Sequence, residues 1–135
     1  MAELLGDDYG DNPSEYSLGR DHGMVEFFWQ RPEPDSPWAG THFSVQAHRL
    51  RYDGDTVNPA IVDRYGAFSG PVPFEEVSAL LTERGVPMTE VPYPLDPDEL
   101  RAYWQPDSRT MVYVVAGSYY GITGDVYKVT SPDRP

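Results

Sequence analysis

The sequence TMVYVVA at residues 110–116 is a short and nearly continuous run of apolar and β-branched residues. A run of this length and composition is typical of a strand that is buried on both faces, in the middle of a sheet. Residues 126–130 (VYKVT) have a similar character, and Gly117, Gly121 and Gly124 lie between the two runs. We therefore expect two neighbouring strands that are joined by a tight, aromatic turn.

Two further strands are predicted in the first half of the chain. Residues 24–29 (MVEFFW) and 43–50 (FSVQAHRL) both alternate between apolar and polar side chains, which is the period of a half-buried strand. Residues 31–40 between them are rich in proline and are predicted to form a loop. The expected product is an antiparallel hairpin whose polar face carries Glu26, Ser44, Gln46 and His48.

Two helices are also expected. Residues 73–84 (PFEEVSALLTER) begin with proline, carry acids in the first turn and end before Gly85, which matches the preferences of helix ends. A shorter helix is predicted over residues 96–104, because Asp96 can cap the first turn and Glu99 stands three residues later.

The length of 135 residues and the hydrophobic fraction of 39% fit one globular domain. The predicted elements indicate an α+β fold, in which an antiparallel or mixed sheet of four to five strands carries two helices on one face. Residues 1–17 are acidic and contain Gly6, Gly10 and Pro13, so we expect them to form a loosely held arm.

The chain has a formal net charge of −12 at pH 7. Such a charge repels nucleic acids and anionic membranes and attracts basic partners, so direct binding to nucleic acid or membrane is not expected. The charge can also arise without a basic partner. An acidic surface serves solubility, and nine of the ten basic residues are arginine, a bias of GC-rich genomes whose proteomes are often acidic.

The absence of cysteine excludes disulfides and thiolate metal sites. The first residues lack the basic and apolar regions of a secretory signal, and no apolar run reaches the length of a membrane span. We therefore expect a cytoplasmic protein.

The spacing of known catalytic and metal sites is missing from this sequence. His42 and His48 would stand about 20 Å apart along one strand, too far to bind the same ion. A calcium loop that starts at Asp53 would require glycine in place of Asn58 and glutamate in place of Arg64. No catalytic residue, metal or cofactor is predicted, and we expect a protein that is not an enzyme.

The remaining interpretation is a surface that binds another protein. Aromatic side chains in loops are preferred interface anchors, and carboxylates suit a basic partner. The predicted contact residues are the polar row Glu26, Ser44, Gln46 and His48, the loop aromatics Trp38, Tyr119 and Tyr120, and the arm carboxylates Asp7, Asp8 and Asp11.

Part of the sequence resembles a group of small actinobacterial proteins encoded beside polymorphic toxins. The resemblance covers residues 18–29 (LGRDHGMVEFFW), Trp38 and residues 43–50 (FSVQAHRL). In that group a strand with the pattern DYG-hydrophobic-E-F precedes a second strand that ends in a Q-x-H-R-L-like run, and its members look like immunity proteins. This sequence departs from the pattern at His22, where an aromatic residue is expected after Asp21. The resemblance implies a non-enzymatic inhibitor that binds and neutralises a cognate toxin domain, expected to be basic because many such toxins act on nucleic acid.

Two other classes of function stay open. A small enzyme or ligand-binding domain would place Glu26, His48 and tyrosines in an enclosed pocket between the helices and the sheet, whereas a flat polar face favours protein binding. A structural or assembly subunit would bury the edges of the predicted hairpin in an oligomer.

Overall fold

The computed structural model describes residues 5–52 and 57–135. Within these residues there are eight strands: β1 (Gly10–Pro13), β2 (Ser17–Asp21), β3 (Val25–Gln30), β4 (Ala39–Val45), β5 (Thr89–Val91), β6 (Leu100–Gln105), β7 (Thr110–Val115) and β8 (Val126–Ser131). A 3₁₀ helix (Ala47–Arg51) follows β4, and the α-helices α1 (Pro59–Tyr65) and α2 (Phe74–Glu83) precede β5. Residues 53–56, which include the Asp53 considered as a calcium ligand, lie outside the described residues.

The strands form one antiparallel sheet in the order β1-β2-β3-β4-β8-β7-β6-β5. Each half of this sheet is a meander of consecutive strands, and the halves meet where β4 pairs with β8. At this junction Ser44 lies opposite Thr130 and Val45 opposite Val129. The predicted central strand is confirmed, because β7 is buried along most of its length and lies between β6 and β8.

The expected α+β fold with four to five strands is wrong, because eight strands of the described residues make the protein mostly β. The missed strands at the two edges, β1 (GDNP) and β5 (TEV), are too short to show a periodic pattern. Residues such as glycine, asparagine and proline favour turns when the sequence is considered alone. Both segments are strands because their backbones pair with the adjacent strand.

The helix predicted over residues 96–104 is also wrong, because residues 100–104 of this segment belong to β6. The chain makes only one turn after Asp96, in which the Asp96 carbonyl accepts hydrogen bonds from the N–H groups of Glu99 (3.2 Å) and Leu100 (2.9 Å). From Leu100 onwards the chain alternates, with Leu100 and Ala102 buried and Arg101 exposed. Pairing with strands on both sides therefore overrides the local helix signal.

The second strand of the expected hairpin is shorter than predicted, since β4 ends at Val45 and the chain continues as the 3₁₀ helix. In this helix Ala47 and Leu50 are buried in the hydrophobic core. The side chains of His48 and Arg49 instead contact residues of the sheet and its turns. The alternation at residues 43–50 thus reflects a strand followed by a helical turn.

Part of the predicted acidic arm is held by the sheet. Residues 1–4 of the arm lie outside the described residues, while residues 10–13 form β1 and pair with β2. The Arg20 side chain donates two hydrogen bonds to the Asp11 carboxylate, at 2.7 and 3.0 Å. This pair fixes β1 on the edge of the sheet and lowers the pKa of Asp11 through the hydrogen bond to Arg20.

Both α-helices lie on the same face of the sheet, which we call the helix-bearing face. Helix α2 confirms the prediction at residues 73–84, and its Phe74 and Val77 pack against a cluster that includes Val112 and Val114. Helix α1 was not predicted. Its first turn is capped by Asn58, whose side chain accepts a hydrogen bond from the Ala60 N–H at 2.9 Å.

The burial of Met111 provides a test of the position of β7. The Met111 side chain is 3% exposed, whereas Leu95 in the loop before β6 is 83% exposed. We expect Met111→Ala to lower the free energy of unfolding by about 2–5 kcal/mol, because it leaves a cavity at the centre of the sheet. Leu95→Ala, the control, should change it by less than about 0.5 kcal/mol. Urea unfolding measures both, and equal effects would contradict this position.

Candidate functional site

A row of paired residues crosses the face of the sheet opposite to the helices, which we call the helix-free face. Paired residues of adjacent strands point to the same face. The row starts at Asp21, which lies opposite Glu26, and Glu26 lies opposite Ser44. It continues through Thr130, Met111 and Trp104. One half of this face is therefore polar and the other half is apolar.

The polar half is organised by Arg49, which projects from the 3₁₀ helix. Arg49 Nη1 donates to both carboxylate oxygens of Asp21, at 2.9 and 3.0 Å, and Nη2 donates to Glu26 Oε1 at 2.6 Å. Nη1 also donates to the carbonyl oxygen of Gly23 in the turn between β2 and β3. We call these contacts the Arg49 clamp, and they tie two strands and their turn to the 3₁₀ helix.

Both carboxylate oxygens of Glu26 are occupied. Oε1 accepts a hydrogen bond from Arg49, and Oε2 accepts one from Gln46 Nε2 at 3.1 Å. The same Gln46 Nε2 also donates a hydrogen bond to Ser44 Oγ at 2.8 Å. Burial disfavours the charge of Arg49, but the hydrogen bonds and charges of Asp21 and Glu26 outweigh this effect and raise the pKa of Arg49. Glu26 therefore acts as one half of an ion pair that stabilises the fold.

A stack of aromatic rings extends from the 3₁₀ helix to the loop between β7 and β8. The rings of His48 and Tyr127 are stacked with centroids 4.3 Å apart, Tyr120 meets Tyr127 edge-on at 5.1 Å, and Tyr119 meets Tyr120 at 4.9 Å. His48 Nδ1 lies 3.1 Å from the Tyr127 carbonyl oxygen, so Nδ1 carries the proton and donates. Burial lowers the pKa of His48 and raises that of Tyr127.

The predicted contact residues separate into three groups. The first group lies at the end of the sheet where β4 and β7 finish. It consists of Glu26, Ser44, Gln46, His48, Tyr119 and Tyr120. Of these, Ser44 and Gln46 are buried, so they support Glu26 from below and cannot contact a partner directly. Trp38 lies at the opposite end, with its ring 4.2 Å from the guanidinium of Arg31. Asp7, Asp8 and Asp11 lie in or before β1 at one edge.

Two loops meet at the end of the sheet that carries the aromatic stack. We call them the two-loop tip, defined as residues 94–99 and 117–123. The Glu99 carboxylate accepts a hydrogen bond from the Tyr119 N–H at 2.7 Å, and the Tyr120 hydroxyl bonds to Asp96, which raises the pKa of Tyr120. A Cβ at position 117 would overlap the Glu99 carboxylate, so a larger residue there would displace this carboxylate from the Tyr119 N–H.

Large apolar side chains project from the two-loop tip into solvent. Leu95, Tyr119 and Ile122 are 83%, 81% and 57% exposed. The same segments contain Asp96, Asp98 and Glu99 and no basic residue. The sequence indicated the tyrosines. Glu99 was missed because residues 96–104 were predicted as a helix, and Leu95, which directly precedes that segment, was not identified as a contact residue. The tip is therefore an apolar surface whose own loops are acidic, and the Arg51 guanidinium lies beside it at Gly121.

The cavity beside His48 and Tyr120 holds about 10 Å³, which is less than one small substrate requires. A much larger groove does separate α1 from the sheet, but Glu26 and His48 do not line it. Across the described ranges no three His, Cys, Asp or Glu side chains stand close enough to hold a metal ion. None of the helices described is both long and apolar enough to cross a membrane.

No protein-family model, curated protein or solved structure matches this chain. Its function is therefore inferred from the geometry and the charge of the surfaces described above.

The Arg49 clamp can be tested by comparing two arginines. Arg49→Ala removes the partner of two carboxylates in a partly buried site, and we expect the free energy of unfolding to fall by about 1–3 kcal/mol. Arg101→Ala is the control, because Arg101 and Glu90 form an exposed ion pair at 3.5 Å that contributes less than about 0.5 kcal/mol. Chemical denaturation measures both variants. A loss for Arg49→Ala as small as that for Arg101→Ala would show that the clamp does not stabilise the fold.

His22 is a buried imidazole near the start of the polar half. It is 5% exposed, packs between the rings of Tyr9 and Phe27, and neither ring nitrogen has a hydrogen-bond partner among the described residues. Burial lowers the pKa of His22 below its ordinary value, so the folded protein favours the neutral ring. Below about pH 6.5 the unfolded chain binds protons that this ring resists, and stability falls as the pH is lowered.

His22→Phe should reduce this pH dependence. The substitution keeps an aromatic ring between Tyr9 and Phe27 and removes the unpaired nitrogens, so we expect the protein to fold at pH 7.5 with unchanged or higher stability. The fall in Tm between pH 7.5 and pH 5 should become smaller because the contribution of His22 is lost. The contribution of His48 to this fall remains. His42→Phe, at an exposed position, is the control. If both variants retain the full fall in Tm, His22 is not its source.

Proposed function

We propose that this protein is a non-enzymatic inhibitor of the immunity type, which binds a basic partner domain in the cytoplasm and neutralises it by direct contact. The observation that carries this proposal is the two-loop tip, where exposed apolar side chains and three carboxylates lie in the same two loops. The sequence resemblance to immunity proteins gives the proposal its direction, and the partner is then a toxin domain.

The tip has the composition of an interface anchor. Residues that dominate binding energy are large, and they lie where neighbouring groups can exclude water from them. Tyr119 and Leu95 are large, exposed and carried by loops that contact each other. The Thr123 hydroxyl donates to the carbonyl oxygen of Gly117 at 2.8 Å, which closes the second loop on itself. A surface ordered in this way loses less conformational entropy when a partner binds.

The charge of the tip favours a basic partner. Lysine and arginine side chains bind carboxylates through charge-assisted hydrogen bonds and stack on tyrosine rings. Asp96, Asp98 and Tyr119 offer both kinds of contact within two loops. The net charge of −12 adds a long-range attraction that accelerates encounter with a cation and disfavours nucleic acids and anionic membranes as partners.

The arrangement of Glu26 and His48 supports binding over catalysis. A general base needs room for a substrate beside it, and the cavity beside His48 holds only about 10 Å³. Both oxygens of Glu26 already accept hydrogen bonds, and His48 Nδ1 donates to the backbone of Tyr127. These groups therefore position the aromatic stack and, through it, the loops of the tip.

The partner can be sought as the product of the neighbouring gene, and substitutions at the tip then test the binding surface. We expect the double variant Leu95→Ala with Tyr119→Ala to bind at least about tenfold more weakly, because it removes two exposed anchors. The control is Tyr65→Ala, an exposed tyrosine on α1, which should keep its affinity within about twofold. Isothermal titration calorimetry measures both, and equal affinities would contradict the assignment of the tip.

Salt dependence tests the electrostatic part of the proposal. We expect the association rate to fall by about tenfold or more as salt rises from low to physiological concentration, since screening removes the attraction between opposite charges. Stopped-flow fluorescence of the complex measures this rate. An association rate that is independent of salt would exclude electrostatic steering, and absence of both a complex and rescue of growth on co-expression would overturn the proposed function.

A further inference from the structure

The imidazole of His22 lies between two walls, one at the edge of the sheet and one inside it. Its ring centroid is 5.3 Å from that of Tyr9, which directly precedes β1, and 5.8 Å from that of Phe27 in β3. His22 is 5% exposed, and neither of its nitrogens has a hydrogen-bond partner among the described residues. The protein therefore accommodates this ring as an apolar group, which requires the neutral form.

The groups around His22 offer no acceptor for a second ring proton. The titratable and charged groups that face it come from the residues before β1, from β1 and from β2, and they are Asp8, Asp11, Arg20 and Asp21. Arg20 repels a charged imidazole, and its partner Asp11 is already occupied by the ion pair. Asp21 is likewise bonded to Arg49. Phe27 and residues 57–59, which also lie beside His22, contain no titratable side chain.

The two walls differ in how firmly the sheet holds them. Phe27 belongs to β3, which is paired on both sides, with β2 and with β4. On the other side, β1 is paired only with β2, and all four of its residues are exposed. Tyr9 is itself 39% exposed and rests on the guanidinium of Arg20 at 3.9 Å. Displacement of Tyr9 and β1 is therefore the least costly way to bring water to His22.

We propose that protonation of His22 releases residues 8–13, which we call the edge segment, from the sheet while the other strands stay paired. Release exposes the edge of β2 (Ser17–Asp21) and separates Asp11 from Arg20. The Arg20–Asp11 pair opposes release, so the edge segment stays in place while the imidazole is neutral. The inference rests on the geometry around His22 and does not depend on the proposed function.

The pH range of release follows from the histidine. Burial lowers the pKa of His22 while the edge segment is in place, and the hydrated ring has the ordinary pKa of about 6.5. Below about pH 6.5, each unit of pH favours the released state by up to about tenfold, until the closed state also binds the proton. Asp11 is not the source of this effect, because its hydrogen bond to Arg20 lowers its pKa and keeps the carboxylate charged at pH 5.

Hydrogen exchange at pH 7.5 and pH 5 tests the proposal, with rates expressed as protection factors to remove the direct effect of pH. We expect protection of the amides that pair β1 with β2 to fall by about tenfold or more at pH 5 and to stay well below that of residues 110–115 in β7. His22→Phe should abolish this fall, because its ring does not titrate. His42→Phe, at an exposed position, should retain the fall.

Three results would overturn the proposal: protection of these amides that is independent of pH, a fall that persists in His22→Phe, and protection at pH 5 equal to that of β7, which indicates global unfolding. A second measurement applies even where His22→Phe folds poorly. Tyr9→Ala removes the outer wall, so an NMR titration should show the His22 pKa rising towards its ordinary value while that of His48 stays unchanged. An unchanged His22 titration in Tyr9→Ala would overturn the role of the edge segment.

Discussion

The guanidinium of Arg49 contacts β2 at Asp21, β3 at Glu26 and the turn between these strands at Gly23, while its own backbone belongs to the 3₁₀ helix. The chain must leave β4 and pass over the end of the sheet at this point. Buried Ala47 and Leu50 hold one side of the 3₁₀ helix in the core. The Arg49 clamp holds its other side on the helix-free face. With the helix fixed, His48 supports Tyr127, Tyr120 and the loop that carries Tyr119.

Local sequence patterns were sufficient where a segment's own residues decide its structure. The apolar run of β7, the alternation of β3 and the end preferences of α2 all predicted the observed elements. Local sequence patterns were insufficient where pairing with neighbouring strands determines the structure of a segment. Residues 96–104 carry the sequence pattern of a capped helix, yet β5 and β7 draw residues 100–105 into the sheet. The short edge strands show no period, because backbone hydrogen bonds rather than side chains hold them.

The same distinction applies to the candidate site. Tyr119, Tyr120 and the polar row were predicted because they are aromatic or polar residues in turns and alternating strands. Arg49 was missed because its partners precede it by 28 and 23 residues, and no local pattern reports such contacts. Glu99 was missed because a helix was predicted over residues 96–104, and Leu95 directly precedes that segment. Ser44 and Gln46 were predicted as surface residues, but the clamp above them makes them interior supports.

The two faces of the sheet thus present different surfaces. One end of the helix-free face leads to an aromatic tip with acidic loops, and the helix-bearing face contains an apolar groove between α1 and the sheet. Hydrogen exchange of the complex with the neighbouring gene's product tests the role of the tip most directly. Partner binding should protect the amides of residues 94–99 and 117–123 and leave residues 31–38, at the opposite end, unchanged. Protection confined to residues 31–38 or to β1 would contradict that role.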